Sequence, residues 1–180
     1  IPKVGKNIKK LLLLPMDLEG SRQAVEAIDA ADYIIFGPGS LFTSIIPNVL
    51  PTALKGAFQN AAAKKIYICN IMEQPGETMG MSACDHVDAL HAHVEKEIID
   101  FLIMCQLELT EDETARYTAE GIDFVECDSE NIKRRGIKLH TNTELVHVNE
   151  EGIIHHNSEV LAKCVYDLML DEMDALTYKG

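Results

Sequence analysis

The sequence predicts an α/β fold, a mainly parallel sheet with helices on both faces. Three observations point there. Short apolar runs such as YIIFG (33–37), IYICNI (66–71) and IIDFLIMC (98–105) alternate with stretches of helical spacing. Apart from Asn70 and Asp100 these runs are apolar at consecutive residues rather than at every second one, as in strands covered on both faces. The first two open into long Gly/Pro loops before the next helix, the pattern of successive βα units.

Each element has its own justification. KKLLLLP (9–15) is a short continuous apolar run and reads as a buried strand. GSRQAVEAIDAAD (20–32) places Ala24, Val25, Ile28 and Ala31 on one helical face, with Ser21 as N-cap. TALKGAFQNAAAKK (52–65) is Ala-rich and helical, and SACDHVDALHAHVEKE (82–97) is a further helix. TEDETARYTAEG (110–121) reads as a helix, with Thr110 and Glu113 as a capping box and Gly121 as its stop. IDFVECD (122–128) reads as a strand, and DSENIKRRG (128–136) is the most polar segment. IKLHTNTELVHV (137–148) is extended and partly alternating. NSEVLAKCVYDLMLDEMDAL (157–176) closes as a long amphipathic helix capped by Asn157 or Ser158. No repeat, low-complexity tract or linker divides the chain, so residues 1–180 read as one domain. With no initiator methionine and a strand expected so early, the sequence reads as the C-terminal part of a longer protein.

Composition narrows the function. A hydrophobic fraction of 47% and a charged fraction of 25% are ordinary for a globular domain, and the apolar runs are too short for a membrane span. A net charge of −13 argues against a duplex nucleic-acid binder. It leaves room for a small anion held by backbone N–H groups. The five cysteines are widely spaced and form no CxxC, which suits reduced thiols in the cytoplasm.

Two loops carry the functional signal. FGPGSLFTSIIPN (36–48) follows an apolar strand and precedes a helix, so it falls at the carboxyl edge of the sheet, where α/β proteins bind ligands. Gly37 and Gly39 allow close backbone approach, while Ser40, Thr43, Ser44 and Asn48 offer uncharged polar groups suited to phosphate or sugar. A tight turn whose hydroxyls cap the next helix is an equal competitor on spacing alone, for the loop is neither a P-loop nor GxGxxG. CNIMEQPGETMGMSACDHV (69–87) has the same setting and carries Asn70, Gln74, Gly76, Glu77, Thr78, Asp85 and His86. Two such loops at one edge favour a pocket.

Other chemistry is weaker. His86, His91 and His93 lack the i, i+4 spacing of a zinc helix, and His91 with Glu95 reads as a solvated helix surface. No metal site is expected. Ser40 lies outside a GxSxG elbow. Lys64–Lys65 and Lys133–Arg134–Arg135 read as solvated charge at helix ends.

The strings GPGSLFTSIIPN, IYICNIM, QPGET and SACDHV resemble the bacterial gluconeogenesis-factor family (YvcK-like), related to the phospholactate transferases (CofD-like) of deazaflavin cofactor synthesis. The similarity runs from about residue 1 to about 170 and is strongest over 32–93. It implies a Rossmann-like fold and a cytoplasmic protein that binds a nucleotide-sugar of the UDP-GlcNAc type, with a role in cell shape and gluconeogenic growth. Full-length members begin with a Gly-rich strand–loop–helix for the nucleotide phosphates, which these residues do not include, so a half-site is expected. The family's tyrosine in the helix after the fourth strand falls on Tyr117. Its Arg-His pair before the last helix falls on His155 and His156, with His155 replacing an arginine that could grip phosphate bidentately.

Three function classes follow. The first is a ligand-binding regulator that is not an enzyme. The second is a CofD-like transferase moving a 2-phospholactyl-type group from a nucleotide-activated donor. The third is an interaction domain with a vestigial pocket. No acid–base pair at diagnostic spacing supports the second. Assembly, as a homodimer or otherwise, is left open.

Overall fold

The computed structural model describes residues 7–106, 123–149 and 153–177. Four parallel strands form the central sheet in the order β1 (Tyr33–Phe36), β2 (Lys64–Ile68), β3 (Phe101–Cys105) and β4 (Lys138–Asn142). Phe36 pairs with Tyr67, Ile68 with Ile103, and Ile103 with His140. A separate antiparallel hairpin joins β5 (Val146–Val148) to β6 (Ile154–His156).

The helices are α1 (Arg22–Asp29), α2 (Ile46–Val49), α3 (Thr52–Asn60), α4 (Ala83–Val94), α5 (Ser129–Arg134) and α6 (Ser158–Thr177). A π-helical turn, Leu41–Ile45, leads into α2, and a 3-10 turn, Thr143–Leu145, links β4 to β5. Alternate strand residues divide the core between the two faces. Tyr67, Leu102 and Met104 face the cluster built with α2, α3, α4 and α5. Ile66, Ile68, Phe101 and Ile103 face Leu161, Val165 and Leu168 of α6. The expected helical cover of both faces is therefore present.

Some expected elements differ. Residues 9–15 form no strand: Leu12 and Leu14 are exposed, and the backbone N–H of Leu11 donates to His93 Nε2 at 3.0 Å. The run lies against α4 rather than in the sheet, where a strand would need a neighbour to pair its N–H and C=O groups. Residues 123–128 give a single bridge, Phe124 to Met72, and no strand. The polar segment holds α5. The expected helix 110–121 lies outside the described residues.

The two lysine positions also need correction. Lys64 and Lys65 open β2 instead of ending a helix, and Lys65 is buried. Its ammonium donates to the carbonyls of Ala61 and Ala63 at 2.8 and 2.9 Å, offsetting its desolvation. His91 is buried rather than solvated, and His93 on the same helix is buried too. His91 Nε2 accepts from the N–H groups of Ile98 and Ile99, both at 3.1 Å, so the ring closes the turn after α4. Burial pulls its pKa down, consistent with an unprotonated acceptor.

Candidate functional site

The two Gly/Pro loops leave the carboxyl ends of the adjacent strands β1 and β2 and meet there. Parallel pairing makes this unavoidable, because both strands end on the same side of the sheet. Gly37 takes φ +98°, and a Cβ there would lie 2.9 Å from the Ile68 carbonyl oxygen, so the chain passes β2 too closely for any side chain.

Gln74 joins the loops. Its Nε2 donates to Ser40 Oγ at 2.7 Å, and its Oε1 accepts from Asn70 Nδ2 at 3.1 Å. Its backbone N–H donates to Thr78 Oγ1 at 3.0 Å, which fixes the turn that carries it. A second tie runs from Thr43 Oγ1 to Glu77 Oε1 at 3.4 Å. Glu77 is buried, and its Oε2 has no hydrogen-bond partner among the described residues.

Over this junction lies a cavity of ≈ 390 Å³, walled by Gly39, Ser40, Asn70 and Gln74 from the loops and by His155 from the hairpin. The hairpin is held by His156, whose Nε2–H donates to the Cys69 carbonyl at 3.3 Å. Burial lowers the His156 pKa and the hydrogen bond opposes it. The hydrogen bonds between the loops leave donors to spare. Ser40 accepts through Oγ and retains its O–H, while Gln74 and Asn70 each retain a second amide N–H. Such donors suit phosphate or sugar oxygens.

The remaining expected residues take other places. Ser44 and Asn48 are exposed and border a separate cavity of ≈ 170 Å³, reached also by Gly37. Gly76 is buried at φ +80° within the second loop. Asp85 completes a capping box at the start of α4: its carboxylate accepts from the Ser82 N–H, and Ser82 Oγ accepts from the Asp85 N–H. His86 is fully buried below the junction, with Nδ1 3.0 Å from Tyr67 Oη. Burial pushes its pKa down to about 4, against the attraction of Asp85. Its Nε2 has no hydrogen-bond partner among the described residues. Tyr117 lies outside the described residues.

Glu73 and Ile154 also wall the cavity and were not anticipated. Glu73 stood within the quoted loop string, so its position was a usable signal. Ile154 needed the hairpin, and the extended reading of 137–148 stopped short of its second strand. The cap of α6 is Asn157, whose Oδ1 accepts from the Val160 N–H at 3.3 Å.

The family described as 2-phospho-L-lactate transferase CofD matches residues 1–145. The chain belongs to this family. Relatives designated gluconeogenesis factor are 34% identical in Halalkalibacterium halodurans and 35% identical in Bacillus subtilis, over 93% and 94% of the chain. A Thermotoga maritima relative, provisionally so designated, is 42% identical over 92%. A crystal structure of a Bacillus halodurans protein superposes with a TM-score of 0.83 at 36% identity, covering 92% of this chain and 53% of that one. The chain spans about half the length of these curated relatives, 51% to 53% of each.

Proposed function

We propose that the chain forms part of the ligand site of a cytoplasmic regulatory protein that binds a nucleotide-sugar of the UDP-GlcNAc type without consuming it. In this reading the protein acts as a gluconeogenesis factor and maintains cell shape during gluconeogenic growth. The observation that carries the reading is the clasped pair of loops. Gln74 bridges Ser40 and Asn70, and the spare O–H and N–H donors face a cavity at the sheet edge. Gly39, Ser40, Asn70, Gln74 and His155 contact the ligand. Gly37, Gly76 and Thr78 shape the loops, and Glu77 with Thr43 ties them. Ser44 and Asn48 border the neighbouring cavity, Asp85 and His86 act from behind as the cap and core of α4 that support the second loop, and Tyr117 joins the proposed set on the strength of the family resemblance. The similarity to proteins designated gluconeogenesis factor supports the regulatory role.

The family's transferase description favours a second reading, in which a 2-phospholactyl-type group moves from a nucleotide-activated donor. One experiment addresses both. UDP-GlcNAc is titrated calorimetrically into the protein, and the nucleotide is then assayed for turnover over hours. Stoichiometric binding with intact nucleotide is expected. Conversion abolished by Ser40→Ala would establish the transferase, and absence of binding would remove the nucleotide-sugar reading.

A further inference from the structure

The cavity lacks fixed positive charge. Its described lining includes Glu73, His155 and His156 but no lysine or arginine. His156 is committed to the Cys69 carbonyl. His155 is exposed, and its ring has no hydrogen-bond partner among the described residues. Directly across the hairpin stands His147, which is also exposed and equally unpartnered among them.

The ladder fixes how these two residues sit. The Asn157 N–H donates to the Leu145 carbonyl, and the Asn149 N–H donates to the Ile153 carbonyl. Hydrogen-bonded pairs therefore fall at 145/157, 147/155 and 149/153. His147 and His155 share one such pair, with Cα atoms about 5.5 Å apart and both side chains on one face. On the other face Val146, Ile154 and His156 are half-buried and Val148 is exposed; on their own face Leu145 is buried at the sheet end of the hairpin, while His147 and His155 are both exposed.

Two imidazoles so placed can converge on one ion. With Zn–N distances of about 2.0–2.1 Å, tetrahedral ligand nitrogens lie about 3.4 Å apart, within reach of side chains from opposed positions. Imidazole nitrogen suits zinc, nickel and copper, whereas magnesium and calcium take oxygen ligands. Among the described residues no group of three or more His, Cys, Asp and Glu could hold an ion. The pair thus offers two ligands and leaves further coordination positions open.

We propose that His147 and His155 form a two-imidazole site for a divalent transition-metal ion of the zinc class at the rim of the cavity. The ion supplies the positive charge that the described lining lacks, and its open positions are available to the oxygens of an anionic ligand. That last step rests on the nucleotide reading above; the metal site does not.

The test is a Zn2+ titration of the protein near neutral pH with reduced thiols, followed by the histidine ring signals in NMR and by calorimetry. The ring signals of His147 and His155 are expected to move together and saturate. Loss of outer-shell partners alone weakens metal sites by about 10–100-fold, so His147→Ala or His155→Ala should each weaken Zn2+ binding at least about ten-fold. Both positions are exposed, so melting without zinc should hardly change. Ring signals that stay still, or zinc affinity unchanged in both variants, as binding by thiols would give, would overturn the site. Adding UDP separates the two readings. If UDP does not bind, the nucleotide reading fails while the zinc titration still decides the metal site. If UDP binds to the site, zinc and UDP should each tighten the other by the same factor.

Discussion

Replacing His86 by asparagine should flatten the acid limb of the stability profile. His86 is 0% exposed and its pKa is pushed down to about 4 by burial. An unfolded histidine titrates near 6.5. Between these values the unfolded chain binds a proton that the folded protein refuses, so stability falls as pH falls. The contribution is fully present above the unfolded pKa and is lost as pH drops toward the folded one. With these two pKa values, the linkage relation gives a loss of about 2 kcal/mol between about pH 7.5 and pH 5. Asparagine keeps a polar atom near the Nδ1 position facing Tyr67 but cannot take up a proton. His86→Asn should therefore be less stable near neutrality, by roughly 1–3 kcal/mol for the lost ring volume. It should nevertheless lose about 2 kcal/mol less than the parent on acidification. The burial-lowered pKa values of His91, His140 and His156 act in the same direction and remain in both proteins, so the difference between the two profiles isolates His86. Urea unfolding at the two pH values measures it. Parallel pH profiles would refute the assignment of His86 as a buried neutral ring.

Other perturbations separate architecture from binding. Gly37→Ala should cost about 2 kcal/mol or more, from the strained φ of +98° and the 2.9 Å approach to the Ile68 carbonyl, measured by chemical denaturation. Gln74→Ala should lose only about 1 kcal/mol of stability, since its side-chain bonds are partly solvated, yet weaken UDP-sugar binding in calorimetry about ten-fold or more. Asp128→Ala should lower stability by about 2–3 kcal/mol without touching ligand affinity. Its carboxylate accepts from Ser82 Oγ, the Cys84 N–H and Asn131 Nδ2 at 2.9, 3.0 and 3.1 Å, tying the start of α4 to α5.

The sheet was legible because its strands carry their information locally. YIIF, the IYI of KKIYI and FLIMC carry apolar residues on both sides, and a sheet covered on both faces buries most of them, Ile35 on the outer strand excepted. KKLLLLP has the same local character and is no strand, since an apolar run can equally lie across a helix. Its backbone partner at Leu11 is His93, 82 residues away, and no periodicity announces such a contact. The buried histidines were illegible for the same reason. His91 and His93 look like helix-surface residues until the loops that fold over α4 bring N–H groups to them.

The loops illustrate how far residue type can stand in for role. Ser40, Asn70, Gln74, Asp85 and His86 are equally polar on the page, and each follows a strand or opens a helix. The fold sorts them by distance from the carboxyl edge. Asp85 lies in the first turn of α4 and commits its carboxylate to the Ser82 N–H. His86 points into the core beside Tyr67. Ser40, Asn70 and Gln74 stay at the strand ends, where their mutual bonds satisfy part of their capacity and leave donors open to the cavity. A strongly acidic protein can present an anion-accepting surface on these terms, because neutral N–H and O–H dipoles fixed by one another need no compensating lysine. The cost is dependence on registration. A shift of either loop would lengthen the Gln74 bridge that fixes these donors, so on the proposed ligand reading a perturbation of Gly37 should change the affinity of the cavity as well as stability.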